Sequence, residues 1–99
     1  MQYIGIDSGG TKTAFSLFAD NLARIDQLVL PTAHFGQAGL DGMERVLREG
    51  IDTLAARNGV REFGVGIGLA GYGEEPAISA RIDERVARVV AGRPCVLVN

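Results

Sequence analysis

The first thirty residues hold three apolar, strand-like runs joined by connections too short to contain a helix. Residues 2–7 alternate small and apolar side chains and close on Asp7. Residues 13–19 read Thr-Ala-Phe-Ser-Leu-Phe-Ala, and residues 24–30 read Arg-Ile-Asp-Gln-Leu-Val-Leu. Alternation of this kind, with aromatic and aliphatic side chains, marks β-strands. Parallel neighbours need a crossover of about a dozen residues or more. The turn at 8–12 and the connection at Asp20-Asn21 therefore predict an antiparallel meander. Pro31 ends the third strand because it has no N–H to give a ladder.

Beyond a loop at 31–39 the rhythm changes. Leu40, Met43, Val46, Leu47, Ile51, Leu54 and Ala55 recur at helical spacing, predicting a helix from about 41 to 58 with one apolar face. Asp41 and Glu44 have the spacing of a capping box, and Asn58-Gly59 is a helix stop. Residues 63–70 form a glycine-alternating buried strand. A second helix over about 76–91 has proline in its first turn and packs Ile78, Ile82, Val86, Val89 and Val90. Its arginines at 81, 85 and 88 fall on the outer face and read as solvated. Residues 95–98 open a fifth strand. The order β-β-β-α-β-α-β describes one α/β domain over 1–99, a meander continued by right-handed crossovers, with a mixed sheet and helices packed on it.

An apolar fraction of 46% against 22% charged residues suits a folded globular chain. A net charge of −2 without any block of like charge gives no footing for nucleic acid or an anionic membrane. Cys95 cannot form an internal disulfide. Its apolar neighbours lead one to expect a buried, inert thiol. No signal-like segment precedes the first strand, and no apolar run approaches ~20 residues, so the expected compartment is the cytoplasm.

The turn between the first two strands carries the chemistry. Asp7 closes a strand, where ligands of α/β sheets gather. Gly9 and Gly10 let backbone N–H groups approach a phosphate without an intervening Cβ. Thr11 and Thr13 bring hydroxyls, and Lys12, the only lysine of the chain, brings a mobile positive charge. A carboxylate beside phosphates needs a bridging cation, which assigns Asp7 to Mg²⁺. The plainer alternative is a hairpin turn that happens to contain two glycines. The turn leads into a strand, so it is neither a P-loop nor a dinucleotide fingerprint, both of which open a helix.

Asp-x-Gly-Gly-Thr-Lys-Thr after Ile-Gly-Ile resembles the first phosphate motif of the superfamily of actin, heat-shock chaperones, and acetate and sugar kinases. That resemblance implies a ribonuclease-H-like core of the same element order, present in each of two domains. Within the superfamily, Gly68-Leu69-Ala70-Gly71 and the loop before Gly39 are similar to those of the BadF/BadG-type ATPases, which include N-acetylglucosamine and glucosamine kinases. Sugar kinases of the ROK type more often place a proline in the first of these turns. The resemblance implies ATP and Mg²⁺ as cofactors, with Gly9, Gly10, Thr11, Lys12 and Thr13 on the phosphates. It puts His34 and Gly71 on the sugar side. His34 stands where the family usually has an asparagine, which leaves sugar identity open, and a loop histidine that merely stabilises backbone is the other reading. Residues 71–75 are expected to lie over the substrate side, Tyr72 stacking on a sugar ring or packing locally, and Glu74-Glu75 favouring the helix N-terminus.

The same resemblance makes residues 1–99 the N-terminal domain of a longer protein, missing a C-terminal partner domain, and leaves room for a homodimer. The general base would be an Asp directly after Asn99, so no catalytic base is assigned within the chain, and the chain alone is expected to be inactive. Two other readings stay open. An ATPase resembling the activators of 2-hydroxyacyl-CoA dehydratases would need iron–sulfur cysteines, for which Cys95 alone is no support. A ROK-type kinase or repressor would show a zinc motif downstream or a DNA-binding extension.

Overall fold

The computed structural model describes all of residues 1–99. The elements follow in the expected order: β1 Gln2–Ser8, β2 Lys12–Phe18, β3 Arg24–Pro31, α1 Phe35–Arg57, β4 Phe63–Leu69, α2 Pro76–Val90 and β5 Cys95–Val98. They build one five-stranded sheet of order β3-β2-β1-β4-β5. β1 pairs antiparallel with β2 and parallel with β4; β2–β3 is antiparallel and β4–β5 parallel. The meander and the crossovers thus meet on β1, the central strand. No helix is long and apolar enough to cross a membrane.

Strand alternation sorts the two faces of the sheet. Ile4, Ile6 and Ser8 of β1, Thr13, Phe15 and Leu17 of β2, and Phe63, Val65, Ile67 and Leu69 of β4 are buried. Both helices cover this face with their apolar stripes, led by Met43, Leu47, Ile51 and Leu54 of α1 and by Ile82, Val86 and Val89 of α2. The opposite face carries Tyr3, Gly5, Asp7, Val29, Gly66, Val96 and Val98, and its large apolar side chains are exposed. α1 packs tightly on the sheet at Gly50. The Phe15 ring fills the space beside that backbone, and an added Cβ would lie 2.2–2.5 Å from its carbons. Glycine inside a helix costs about 1 kcal/mol against alanine, and here it makes room for a ring.

Several expectations need correction. The first helix begins at Phe35 rather than 41, with a break at Gly39, whose φ of 73° and ψ of 170° are not helical. The turn before the break is capped by His34, whose Nδ1 accepts the Gly36 N–H at 3.0 Å. The Asp41/Glu44 capping box does not form, because both carboxylates face α2 instead. Arg85 donates to Asp41 at 2.6 Å and to Glu44 at 3.3 Å, while Arg88 and Arg48 reach Glu44 at 3.2 and 3.0 Å. Arg85 and Arg88 are therefore not simply solvated; they bind the two helices together. The Arg48 hydrogen bond, with Arg88 and Arg85 behind it, holds the Glu44 carboxyl below its ordinary range. Cys95 is exposed rather than buried, because it opens the edge strand β5. Its partly apolar surroundings nevertheless push the thiol up by desolvation.

β3 is tied back to the end of α1. Asp26 accepts from Arg57 Nε at 2.8 Å and from Asn58 Nδ2 at 2.9 Å. The Arg57 hydrogen bond, then that from Asn58, holds the Asp26 carboxyl well below the usual carboxylate range. A depressed folded value stabilises the fold above the unfolded value, about 3.9. That contribution is lost as pH falls through the folded value. Asp26→Asn should thus lower the melting temperature at pH 7, with the gap to the parent closing as the pH is taken below about 4. A gap that stays constant across the acid range would contradict this.

Gly50→Ala should shift the urea midpoint down at unchanged slope. Overpacking against Phe15 costs roughly 1–3 kcal/mol, more than the ~1 kcal/mol gain in helix propensity. An equal or higher midpoint would show that Phe15 has another rotamer open to it.

Candidate functional site: the glycine turn at the carboxyl end of β1

β1 and β2 are joined by Gly9-Gly10-Thr11, and the Gly9 N–H closes the turn on the Lys12 carbonyl at 3.0 Å. Beneath the turn lies a buried hydroxyl pair. Ser8 Oγ and Thr13 Oγ1 are 3.0 Å apart. The Ala33 N–H reaches both, at 3.2 and 3.0 Å, and Thr13 Oγ1 donates to the Pro31 carbonyl at 3.1 Å. A hydroxyl has one proton. Thr13 gives its proton to Pro31, so Ser8 must be the donor between the two. The expectation for Thr13 is corrected here: its hydroxyl is buried and committed, and it holds the hairpin to the loop before α1 instead of facing a ligand.

Above this pair the turn is open. The Thr32 hydroxyl donates to the Gly9 carbonyl at 2.6 Å, and Gln37 Nε2 donates to the Gly10 carbonyl at 2.7 Å. The N–H groups of Gly10 and Thr11 have no acceptor within the protein. Neither Gly9 nor Gly10 adopts a left-handed φ, so the turn does not need glycine for its backbone. An added Cβ would touch nothing at Gly9 and only Gln37, at 3.7 Å, at Gly10. The fold leaves both positions free for larger side chains; only a body approaching from outside would require them bare. Thr11, Lys12 and Asp7 are exposed. Of the expected phosphate residues, Gly10, Thr11 and Lys12 offer free groups. Gly9 offers only its missing side chain, since its N–H is used within the turn.

Asp7 leaves β1 on the sheet face opposite the helices. No group of three His, Cys, Asp or Glu side chains stands together to hold a metal. A single exposed carboxylate fits Mg²⁺, which commonly binds one or two carboxylates and takes its other ligands from water and substrate phosphates.

Of the other expected residues, His34 precedes α1 and Gly71 follows β4, and the two stand side by side. His34 stacks on Phe35 with centroids 5.1 Å apart. A Cβ on Gly71 would fall 3.2 Å from His34 Nε2 and 3.1 Å from Phe35, and Gly71 has a φ of +89°. Glycine at 71 is thus required by conformation and by the ring beside it. With Nδ1 engaged in capping, the neutral His34 ring carries its proton on Nε2, on the side of Gly71. The turn at 71–75 is fastened at three points. Tyr72 donates its hydroxyl to Asp83 at 2.6 Å, Gly73 N–H donates to Ser79 at 2.8 Å, and Asn99 donates to the Tyr72 carbonyl at 2.8 Å. The Asp83 bond pushes the Tyr72 hydroxyl up, and the ring packs half-buried against the core. Ser8, Thr32 and Gln37 escaped the sequence reading; short polar side chains in a loop give no periodic signal.

No protein-family model matches the chain, and no curated protein matches it either. Solved structures do. A ROK hexokinase from Thermus thermophilus superposes with a TM-score of 0.76 at 26% identity, over 100% of this chain and 35% of that one. An inorganic polyphosphate/ATP-glucomannokinase from Arthrobacter sp. strain KM gives 0.66 at 21%, over 99% and 44%. RuvC from Thermus thermophilus, in complex with a Holliday junction substrate, gives 0.57 at 16%, over 98% and 63%. The chain has the ribonuclease-H-like fold of the actin-like ATPases and sugar kinases, and it spans about a third of the hexokinase it resembles.

Thr13→Val should destabilise the fold by roughly 1–3 kcal/mol, because it takes the acceptor from the buried Ser8 hydroxyl and the donor from the part-buried bond to the Pro31 carbonyl. Thr13→Ser should restore most of that loss in urea titrations. Equal stability of Thr13→Val and the parent would refute the structural role.

Proposed function

We propose that the chain is the phosphate-gripping N-terminal domain of an ATP-dependent sugar kinase. The observation that carries this reading is the clamped glycine turn, with the free N–H groups of Gly10 and Thr11 beside Lys12 and Asp7. It stands at the carboxyl end of the central strand, in a fold similar to that of a sugar kinase along the whole chain. Phosphoryl transfer depends almost entirely on positioning and on neutralising charge. Gly10 and Thr11 donate to phosphate oxygens, and the bare Gly9 and Gly10 let them come close. Lys12 adds a mobile charge, and Asp7 faces the Mg²⁺ that ATP brings, which offsets phosphate charge. His34, with its Nε2–H held on the side of Gly71, faces the acceptor sugar.

We assign the general base, an Asp following Asn99, and the adenine pocket to the remainder of the protein, in a second domain. The 99-residue chain alone should therefore phosphorylate nothing. The acceptor we favour is an amino sugar, as in kinases of the BadF/BadG type, supported by the Gly68–Gly71 turn and the polar His34. The likeness to a ROK hexokinase supports a second reading, a neutral hexose.

A panel of glucose, mannose, glucosamine and N-acetylglucosamine offered with Mg·ATP to the full-length protein separates the two. In that protein, Asp7→Ala and Thr11→Ala should each cut kcat/KM for ATP at unchanged melting temperature. The loss should be on the order of 10²-fold, as when a group aimed at developing charge is removed. Normal turnover with both changed would sink the phosphate reading.

A further inference from the structure

Two side chains outside the glycine turn decide which way its amides point. A trans peptide is planar, with its C=O and the following N–H on opposite edges. Gly9 C=O and Gly10 N–H share one such plane; Gly10 C=O and Thr11 N–H share the next. Thr32 holds the first carbonyl at 2.6 Å and Gln37 holds the second at 2.7 Å. Fixing each carbonyl toward the β3–α1 connection turns its partner N–H outward. These are the two N–H groups that find no acceptor within the protein.

The hairpin does not need these clamps to stay closed. The Gly9–Lys12 bond and the Ser8–Thr13 pair already close it. What the clamps add is orientation. Thr32 does one thing more: its Oγ1 also accepts the His34 N–H at 3.0 Å. A single hydroxyl thus joins the glycine turn to the residue that caps α1. Gln37 is tied to the same residue by its backbone: its N–H donates to the His34 carbonyl at 3.0 Å, within the short turn before the Gly39 break.

We propose that Thr32 and Gln37 are positioning residues of the glycine turn, each aiming one backbone N–H at an incoming phosphate chain, and that both tie this turn to the sugar side through His34. The orientation stands on geometry; its use by a phosphate rests on the kinase reading above.

Residual dipolar couplings of the Gly10 and Thr11 N–H vectors in the 99-residue chain test the orientation without any ligand. Thr32→Val should turn the Gly10 vector and Gln37→Leu the Thr11 vector, while Thr32→Ser keeps the parent orientation. Vectors unmoved in both variants would overturn the proposal.

Steady-state kinetics of the full-length protein with Mg·ATP and its best sugar test the use. Gln37→Leu and Thr32→Val should each raise KM for ATP about tenfold and KM for sugar with it. Thr32→Ser should sit near the parent in both. Unchanged KM for ATP in the two disruptive variants would overturn the positioning role, and a sugar KM that either variant leaves unmoved would overturn the coupling. If the parent uses no ATP at all, the kinase reading fails, and the dipolar couplings still decide whether the clamps orient the turn.

Discussion

The hydroxyl of Thr13 is the junction on which the rest of the site depends. Pro31, directly across from Lys12 in the β2–β3 ladder, cannot donate a backbone N–H, and β3 ends there. Its carbonyl finds its partner in the part-buried space behind the turn. Thr13 supplies that partner and, with Ser8, takes up the Ala33 N–H where the chain leaves the sheet. Three strands and the entry to α1 thereby converge on two buried oxygens, and no buried side-chain polar atom is left without a partner. Threonine suits the position because its methyl group fills the apolar layer while its hydroxyl serves three neighbours. Serine would keep the bonds and lose the packing; valine would do the reverse.

That junction fixes where the chain goes next. With Ala33 pinned beneath the turn, Thr32 and His34 lie on either side of a fixed point. One can reach the turn's carbonyl, and the other caps a helix. The broken start of α1 follows as well. Phe35–Ala38 stays with the loop and its ring stacking, and Gly39 lets the main helix set off in the direction its apolar stripe requires. A single straight helix from 35 would have to satisfy both demands with one axis.

The strands and their order were legible in the sequence because alternation and connection length are local properties, and three short strands in succession leave few pairings. The apolar stripes of both helices were legible for the same reason. What escaped reading depended on partners distant in sequence. Asp41 and Glu44 have capping spacing, yet Arg85, over forty residues away, draws both carboxylates across to α2. Cys95 looks like a core residue by its neighbours, but β5 is an edge strand, and which strand lies at an edge is decided by topology. Thr13 reads as one more hydroxyl in a phosphate motif until strand parity places it on the helix-covered face. The turn from Gly9 to Lys12 was read as a candidate site from residue types alone, but the orientation of its amides comes from Thr32 and Gln37, over twenty residues on.

The glycines separate structural need from the requirements of a ligand. Gly50 and Gly71 are explained within the molecule, one by the Phe15 ring and the other by a positive φ beside His34 and Phe35. Gly9 and Gly66 are not: a side chain at either position would meet open space. Both lie along the seam between β1 and β4 or at its mouth, on surface that the helices leave bare. A fold held in common with RuvC and with sugar kinases does not choose a chemistry, because the sheet and helices serve either. The choice has to come from what stands at the end of β1. There the chain presents two outward N–H groups, a lysine and one carboxylate, with no cluster of acids to carry a pair of metal ions. That set is suited to gripping an anion that arrives with its own cation.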